Sequence, residues 1–480
     1  GDEVWHPRFV YHGFRYMQVE GLPAAPAASD ARRHILRAAN ASSASFTCSD
    51  DLLNSIHAII NRSVQSNMFS TLTDCPDREK LGWLDDTGLI FDVAARNYDV
   101  AATYRKIMRD IAEAQSPDGL VPTTAPELTL FAGAFRDDPN WGGTVVLAPW
   151  QMYRTYGDIE TLRTYYPNMR AYLGYLGTQA SGNLLDYGLG DWITLNNATP
   201  VGITASYAYK RLASTLATIA ALLGETSDAA QYTALAGSIT TAFNALYYDA
   251  ATASYGPGTQ ASIALALDAG LVPASARPAV LASLISAIAA EGNHLDVGEI
   301  GLPAVFRVLA RAGRHDVIYD IATQTTYPSY GYQVVTGSTS LGEDWGALGT
   351  SGSQNHWMLG ALDAWFTEGL GGIGQSDDSV AFGKLVIAPA VVGTLTSVTA
   401  SYIGPQGQIA TSWQRDSTAL ALDVTVPPNT AATVELPLAP AGVGARVSAS
   451  SGAVLTGNDG TTATWSVGPG HWNFRAAAGS

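Results

Sequence analysis

Residues 49–68 read SDDLLNSIHAIINRSVQSNM. Leu52, Leu53, Ile56, Ile59, Ile60 and Val64 recur every three or four positions, which lays one apolar stripe along a helix. Ser49 is the expected cap. Further stretches with this period fall at roughly 86–97, 99–115, 144–156, 158–178, 202–224, 226–247, 258–270, 274–290, 299–312, 314–322 and 353–370. Short joints such as Gly157-Asp158 and Gly224-Glu225 pair them as antiparallel neighbours. Such an array curls into a solenoid or closes into an α/α toroid, and periodicity does not choose between them.

On either side of the helices the pattern changes. Residues 8–20, RFVYHGFRYMQVE, mix aromatic and β-branched residues and read as a strand; a Pro/Ala linker follows, then a second short strand near Ile35. Beyond Gly374 the segments are short, turn-bounded and β-rich, from KLVIAPAVV to HWNFRA. They predict an antiparallel β-sandwich of about eight strands. The expected domains are therefore 1–45, 46–374 and 375–480.

Composition narrows the function. The chain has 480 residues, 47% of them apolar, with 42 acids against 26 bases for a net charge of −16. That balance repels nucleic acid and anionic membrane, and no apolar run is long enough to predict a membrane span. Two cysteines, Cys48 and Cys75, make neither a disulfide framework nor a CxxC metal pattern. No HExxH, GxSxG, GxGxxG or Walker pattern occurs. No metal or other cofactor is expected. The acidic, lysine-poor composition and the sequons at Asn40, Asn61 and Asn197 lean towards a secreted or periplasmic protein.

Carboxylates beside tryptophans are the remaining chemistry. Residues 73–86, TDCPDREKLGWLDD, gather Asp74, Glu79 and Asp86 around Trp83. Arg78 and Lys80 flank Glu79 and favour its ionised form, whereas desolvation by Trp83 would oppose them. Asp85 and Asp86 also suit a helix N-terminus. Three long segments, 116–143, 185–200 and 323–352, interrupt the helices, and loops of that length usually carry function. They hold Asp138 and Trp141, Asp191 and Trp192, and Glu343, Asp344 and Trp345. His356 opens the next helical stretch. Indole faces stack on pyranose rings and carboxylates accept from sugar hydroxyls, so these residues predict a sugar site. Glycoside hydrolysis with inversion needs an acid and a base about 6.5–9.5 Å apart. A lyase of related fold would need a positive group for a uronate, a decayed carbohydrate-binding relative would keep the tryptophans without turnover, and a scaffold would not bring the acids together.

The motif TDCPDREKLGWLDD resembles the signature of family 78 glycoside hydrolases, the inverting α-L-rhamnosidases. FVYHGFRYMQVEG, NWGGTVVLAPWQMYRTYGD, GDWI, YPSYGYQVVTGSTSLGEDW, SQNHWMLGALDAWF and IAPAVVGTLTSVTASYIGPQGQIATSW agree in order, so the resemblance covers nearly the whole chain. It implies an (α/α)6 barrel, the end of an N-terminal β region, and a C-terminal β-sandwich. It also implies further N-terminal β domains or a second chain as partners, which makes this a truncated, cleaved or minimal relative. By the resemblance Glu79 is the general acid and Glu343 the general base. Asp74 and Asp86 hold rhamnose hydroxyls, Arg78 supports the site or the sugar, and Trp83, Trp141, Asp191, Trp192, Trp345 and His356 line the pocket. The implied substrate is a glycan or glycoside with terminal rhamnose. Three departures, Gly143 for an acid, Tyr330 for Trp and Gly342 for an aromatic, are expected to widen the pocket or shift the aglycone.

Overall fold

A computed structural model describes residues 3–195, 198–349, 352–439 and 445–478. The sequon at Asn197 lies outside the described residues. The helices are α1 (Asp51–Ser66), α2 (Leu84–Gly88), α3 (Phe91–Asn97), α4 (Ala101–Ala114), α5 (Pro139–Gly142), α6 (Thr144–Tyr156) and α7 (Ile159–Gln179). Then come α8 (Val201–Leu223), α9 (Thr226–Tyr247), α10 (Gln260–Asp268), α11 (Arg277–Ala290), α12 (Gly301–Arg311), α13 (His315–Ala322) and α14 (Tyr330–Val335). A run of tight, regular and wide helical turns from Met358 to Leu370 closes the set.

Helix α1 keeps the predicted stripe buried: Leu53, Ile56, Ile59, Ile60 and Val64 all face inward. Its cap is Asp50, whose Oδ1 accepts from the N–H groups of Leu52 and Leu53. Ser49, the expected cap, instead accepts from the N–H groups of Thr396 and Ser397. Gly157 (φ 74°) and Gly224 (φ 87°) end α6 and α8 in the left-handed conformation that glycine tolerates best. The helix expected at 86–97 is two, broken at Leu89–Ile90, and the one expected from 353 begins only at Met358.

Two rings result. Helices α2 and α3, α6, α8, α10, α12 and the 358–370 run pack in succession, and the last of these returns to α3. That return closes a toroid and excludes an open solenoid. Inner helices are buried all round at one end, as α8 is from Gly202 to Tyr209. Outer helices bury one stripe: α11 covers only Val280, Leu284 and Ile288.

The strands are β1 (Ala44–Cys48), a barrel hairpin of β2 (Tyr248–Asp249) and β3 (Ser254–Tyr255), β4 (Ile373–Gln375), β5 (Lys384–Ile387), β6 (Ser397–Gly404) and β7 (Gly407–Arg415). Six more follow: β8 (Ala419–Val426), β9 (Ala431–Pro437), β10 (Arg446–Ala449), β11 (Val454–Asn458), β12 (Thr462–Val467) and β13 (Gly470–Ala477). One sandwich sheet runs β1-β6-β7-β8-β13-β10 and the other β11-β12-β9-β5-β4. Alternate side chains point between the sheets, as in β9, where Ala432, Val434 and Leu436 are buried. Two details correct the expected antiparallel sandwich. The pair β5–β9 is parallel, and β1 crosses from before the barrel to pair with β6, Phe46 opposite Ala400.

The strands expected at 8–20 and near Ile35 do not form. Phe9, Tyr16 and Ile35 are exposed, and no described strand pairs with the segment. A β-prone pattern supplies only half of a ladder, and no described strand supplies the other half. Among the described residues no helix is long and apolar enough to cross a membrane.

Candidate active site

One end of the barrel holds a half-open pocket with about 460 Å³ of empty space, open solvent included. Asp74, Glu79, Trp83, Asp86, Trp141, Trp192, Glu343 and His356 line it, joined by Phe135, Leu189 and Glu299. Each of the three long segments between helices contributes: Phe135 and Trp141 from the first, Leu189 and Trp192 from the second, Glu343 from the third.

The 74–83 loop is folded by its own side chains. Asp74 N–H donates to the Leu81 carbonyl oxygen, and Leu81 N–H donates to Asp74 Oδ1 at 2.9 Å. The Cys75 thiol donates to Asp74 Oδ2 at 2.8 Å and accepts from the Glu79 N–H. Lys80 takes a left-handed φ of 59°. Gly82 then runs so close to the next segment that a Cβ there would lie 2.5 Å from the Ala125 carbonyl oxygen.

Within this frame the charges separate. Lys80 turns away from Glu79 to the Tyr11 carbonyl oxygen and ring. Arg78 reaches both catalytic candidates through one nitrogen: Nη2 lies 2.9 Å from Glu343 Oε2 and 3.6 Å from Glu79 Oε1. Two carboxylates that share one guanidinium nitrogen face the same part of the pocket. The scaffold reading, with acids far apart, does not fit that contact. Trp83 does not shield Glu79 as an apolar wall; its indole N–H donates to Glu79 Oε2 at 2.9 Å. Glu343 is held from the other side, its Oε2 accepting from the Ser353 N–H at 2.6 Å.

Deeper in the pocket the acids are buried. Burial pushes Asp74 up to about 6, against the hydrogen bonds from Cys75 and Leu81. Asp86 is held well above the usual carboxylate range by burial and by neighbouring Asp74 and Asp85. Glu299 is held well above it by burial and by Asp85, Asp86 and Glu343. Its carboxyl group has no hydrogen-bond partner among the described residues. A carboxyl kept neutral presents both an O–H donor and an acceptor to a sugar hydroxyl. Burial also lowers His356 to about 4; its Nδ1 accepts from the Met358 N–H, which leaves the proton on Nε2.

Several expected contacts are not made. Asp191 does not line the pocket: its two oxygens accept from the N–H groups of Gly298, Ile300 and Gly301, fastening the start of α12. Asp138 likewise caps α5 and accepts from the Leu189 N–H. Trp345 is buried edge-on against Tyr330, outside the pocket lining. Tyr330 and Gly143 are likewise outside the pocket lining. A side chain at Gly143 would meet the Pro139 carbonyl oxygen at 2.7 Å. Gly342 gives its N–H to Gln333 Oε1. Asp85 is no solvated helix cap, being buried with both oxygens unpartnered. Glu299 is absent from the sequence expectations because it sits alone in DVGEIGLP, without the neighbouring tryptophan that marks the other acids.

No group of histidines, cysteines and acids among the described residues is arranged to hold a metal ion. The arrangement can protonate a leaving oxygen, activate a water and hold hydroxyls. Arg78 is matched to Glu343 and so is not a free cation for a uronate.

Three family models match the chain in order: the bacterial alpha-L-rhamnosidase concanavalin-like domain over residues 1–37, the 6 hairpin glycosidase domain over 41–370 and the C-terminal domain over 372–450. An alpha-L-rhamnosidase of Streptomyces avermitilis is 32% identical across 99% of this chain and 46% of its own length. A crystal structure of the enzyme from that organism, complexed with L-rhamnose, superposes with a TM-score of 0.90 at 31% identity, over 98% of this chain and 46% of that one. The Dictyoglumus thermophilum alpha-L-rhamnosidase gives 0.91 at 30% identity, over 98% and 55%. The chain spans about half the length of these relatives.

Proposed function

Because the chain belongs to the bacterial alpha-L-rhamnosidase family, we propose that it is an exo-acting glycoside hydrolase that releases terminal α-L-rhamnose with inversion. The observation that carries this is the convergence of Glu79 and Glu343 on one Arg78 nitrogen inside an acid- and indole-lined pocket.

In this reading Glu79 donates its proton to the glycosidic oxygen as the bond to the anomeric carbon breaks. Glu343 takes a proton from the water that attacks the opposite face, and the sugar leaves as its β-anomer. Arg78 orients both carboxylates and yields Glu343 to the incoming water. Trp83 fixes the Glu79 side chain through its N–H. Asp74, Asp86 and Glu299 bind hydroxyls on the pocket floor. The acid and base must hold opposite protonation states at one pH, so the rate profile is bell-shaped. Acidic composition and sequons support export, which cell fractionation tests.

The experiment is hydrolysis of an aryl α-L-rhamnoside followed by NMR. β-L-Rhamnose is expected to appear first, and Glu79→Gln and Glu343→Gln are each expected to lose at least 100-fold in kcat while keeping the wild-type circular dichroism spectrum. First appearance of the α-anomer refutes inversion. Near-wild-type turnover by either variant refutes its role.

A further inference from the structure

Of the five acids in TDCPDREKLGWLDD, Asp77 alone neither lines the pocket nor is buried. Its partner lies on another loop: Asp77 Oδ1 accepts from the Ser353 hydroxyl at 3.1 Å.

Ser353 belongs to the segment that carries Glu343. Two stretches of it, 340–343 and 353–356, lie side by side. The Glu343 N–H donates to the Ser353 carbonyl oxygen at 2.8 Å, and the Ser353 N–H returns a bond to Glu343 Oε2 at 2.6 Å. The His356 N–H donates to the Leu341 carbonyl oxygen, and the Ser340 hydroxyl donates to the Gln354 carbonyl oxygen. Ser353 is buried, and its position sets where the Glu343 carboxylate points.

The Ser353 hydroxyl has one proton and two acceptors in reach, Asp77 Oδ1 at 3.1 Å and the Asn355 carbonyl oxygen at 3.3 Å. The carboxylate is the nearer and the stronger acceptor, so it takes the proton. The hydroxyl oxygen meanwhile accepts from the Asn355 N–H at 3.2 Å. Ser66 and Asn67, at the end of α1, donate to Asn355 in turn.

The Glu79 loop and the Glu343 segment are thus joined through two neighbouring side chains, Arg78 and Asp77. In the hydrolase reading Arg78 lets go of Glu343 when water arrives. The bond from Ser353 to Asp77 passes through neither reacting carboxylate and survives that step. An acid and a base on separate loops must keep their spacing while the bond between them breaks. A shift of about 1 Å in a reacting group costs on the order of 100-fold in rate.

We propose that Asp77 and Ser353 are positioning residues for this reaction: their hydrogen bond ties the base loop to the acid loop and holds Glu343 in register with Glu79 once Arg78 has let go. The inference rests on the hydrolase reading above. Neither residue lines the pocket. Asp77 acts through Ser353, and Ser353 acts through its N–H on Glu343.

The test measures kcat and KM of wild type, Asp77→Ala, Asp77→Asn, Ser353→Ala and the Asp77→Ala/Ser353→Ala double variant on two substrates. Phenyl α-L-rhamnoside needs its leaving oxygen protonated and a dinitrophenyl α-L-rhamnoside does not, but both need a base for the water. Asp77 is exposed, so its variants open no cavity in the fold. In Asp77→Ala and in Ser353→Ala, kcat is expected to fall about tenfold on both substrates alike, with KM little changed. Asp77→Asn keeps an acceptor oxygen without the charge and is expected to recover most of the loss. The double variant is expected to be no worse than either single one. Wild-type kcat in Asp77→Ala overturns the proposal and leaves the hydrolase reading standing. A loss confined to the phenyl substrate also overturns it, because Asp77 then acts on the acid. An Asn variant as poor as Ala overturns it too, because the effect is then one of charge. A wild type inert on both substrates refutes the hydrolase reading and the positioning role with it.

Discussion

At the scale of single residues, Trp83 and Glu299 carry the two sharpest departures from the sequence expectation. A tryptophan beside an acid suggests desolvation, and here it gives a hydrogen bond instead. Proximity in sequence is legible; which edge of an indole faces a carboxylate is a matter of rotamer and neighbouring backbone. Glu299 is the converse, an acid with no local mark that the start of α12 delivers to the pocket. It is buried among Asp85, Asp86 and Glu343. Burying a carboxyl among carboxyls costs stability, and such a cost is usually retained only where it serves a ligand. Glu299→Leu is expected to raise the melting temperature and to lower kcat/KM for an aryl rhamnoside. A fall in both, with no change in KM, would make Glu299 structural.

At the scale of elements, the 74–83 loop is a small machine for aiming acids. Cys75 touches both ends of it, donating to Asp74 and accepting from the Glu79 backbone. Burial pushes its thiol up to about 12, so it stays a neutral donor and is not a nucleophile. Cys75→Ala frees Asp74 Oδ2 and is expected to cost about 10-fold in kcat/KM, as one buried hydrogen bond does. Cys75→Ser, which keeps a donor, is expected to recover part of the loss. Equal activity in Ala and Ser would refute the positioning role. The long, strongly periodic helices are legible in the sequence because one apolar stripe specifies them, and α1 is the clearest case. Short helices such as α5 and α14 are not, because four to six residues hold no period. Nor is the fate of Asp191, since its three backbone donors come from more than 100 residues away.

At the scale of the whole molecule, the buried acids set a pH response. Asp74, Asp138 and Asp191 are each raised by burial to about 6, above the ordinary value near 4. The folded state binds those protons more tightly than the unfolded chain, so stability falls as pH rises from about 4 through 6. Burial also holds Asp85, Asp86 and Glu299 well above the usual carboxylate range, and they act in the same sense. His356 and His315, lowered by burial, work in the opposite sense, destabilising the fold as pH drops below about 6.5. Asp268 is held ionised by Arg307, against burial, and stays charged throughout this interval. His57, raised against burial by its contact with Asp363, adds to the acids' sense, and together they outweigh the two lowered histidines. The melting temperature by scanning calorimetry is expected to be higher at pH 5 than at pH 7.5, and the reverse order would show that the histidines dominate.

The pairing of β1 with β6 has a consequence for how the polypeptide is made. Ala44–Cys48 leaves the ribosome before any barrel helix, and its partner Val398–Tyr402 emerges only after all of them. During synthesis the early strand is an unpaired edge waiting across the whole helical region. The toroid thus matures while the strand before it is still unpaired, and completing the sandwich sheet fastens the beginning of the helical region to the sandwich. A strand translated after the barrel acts as the clasp.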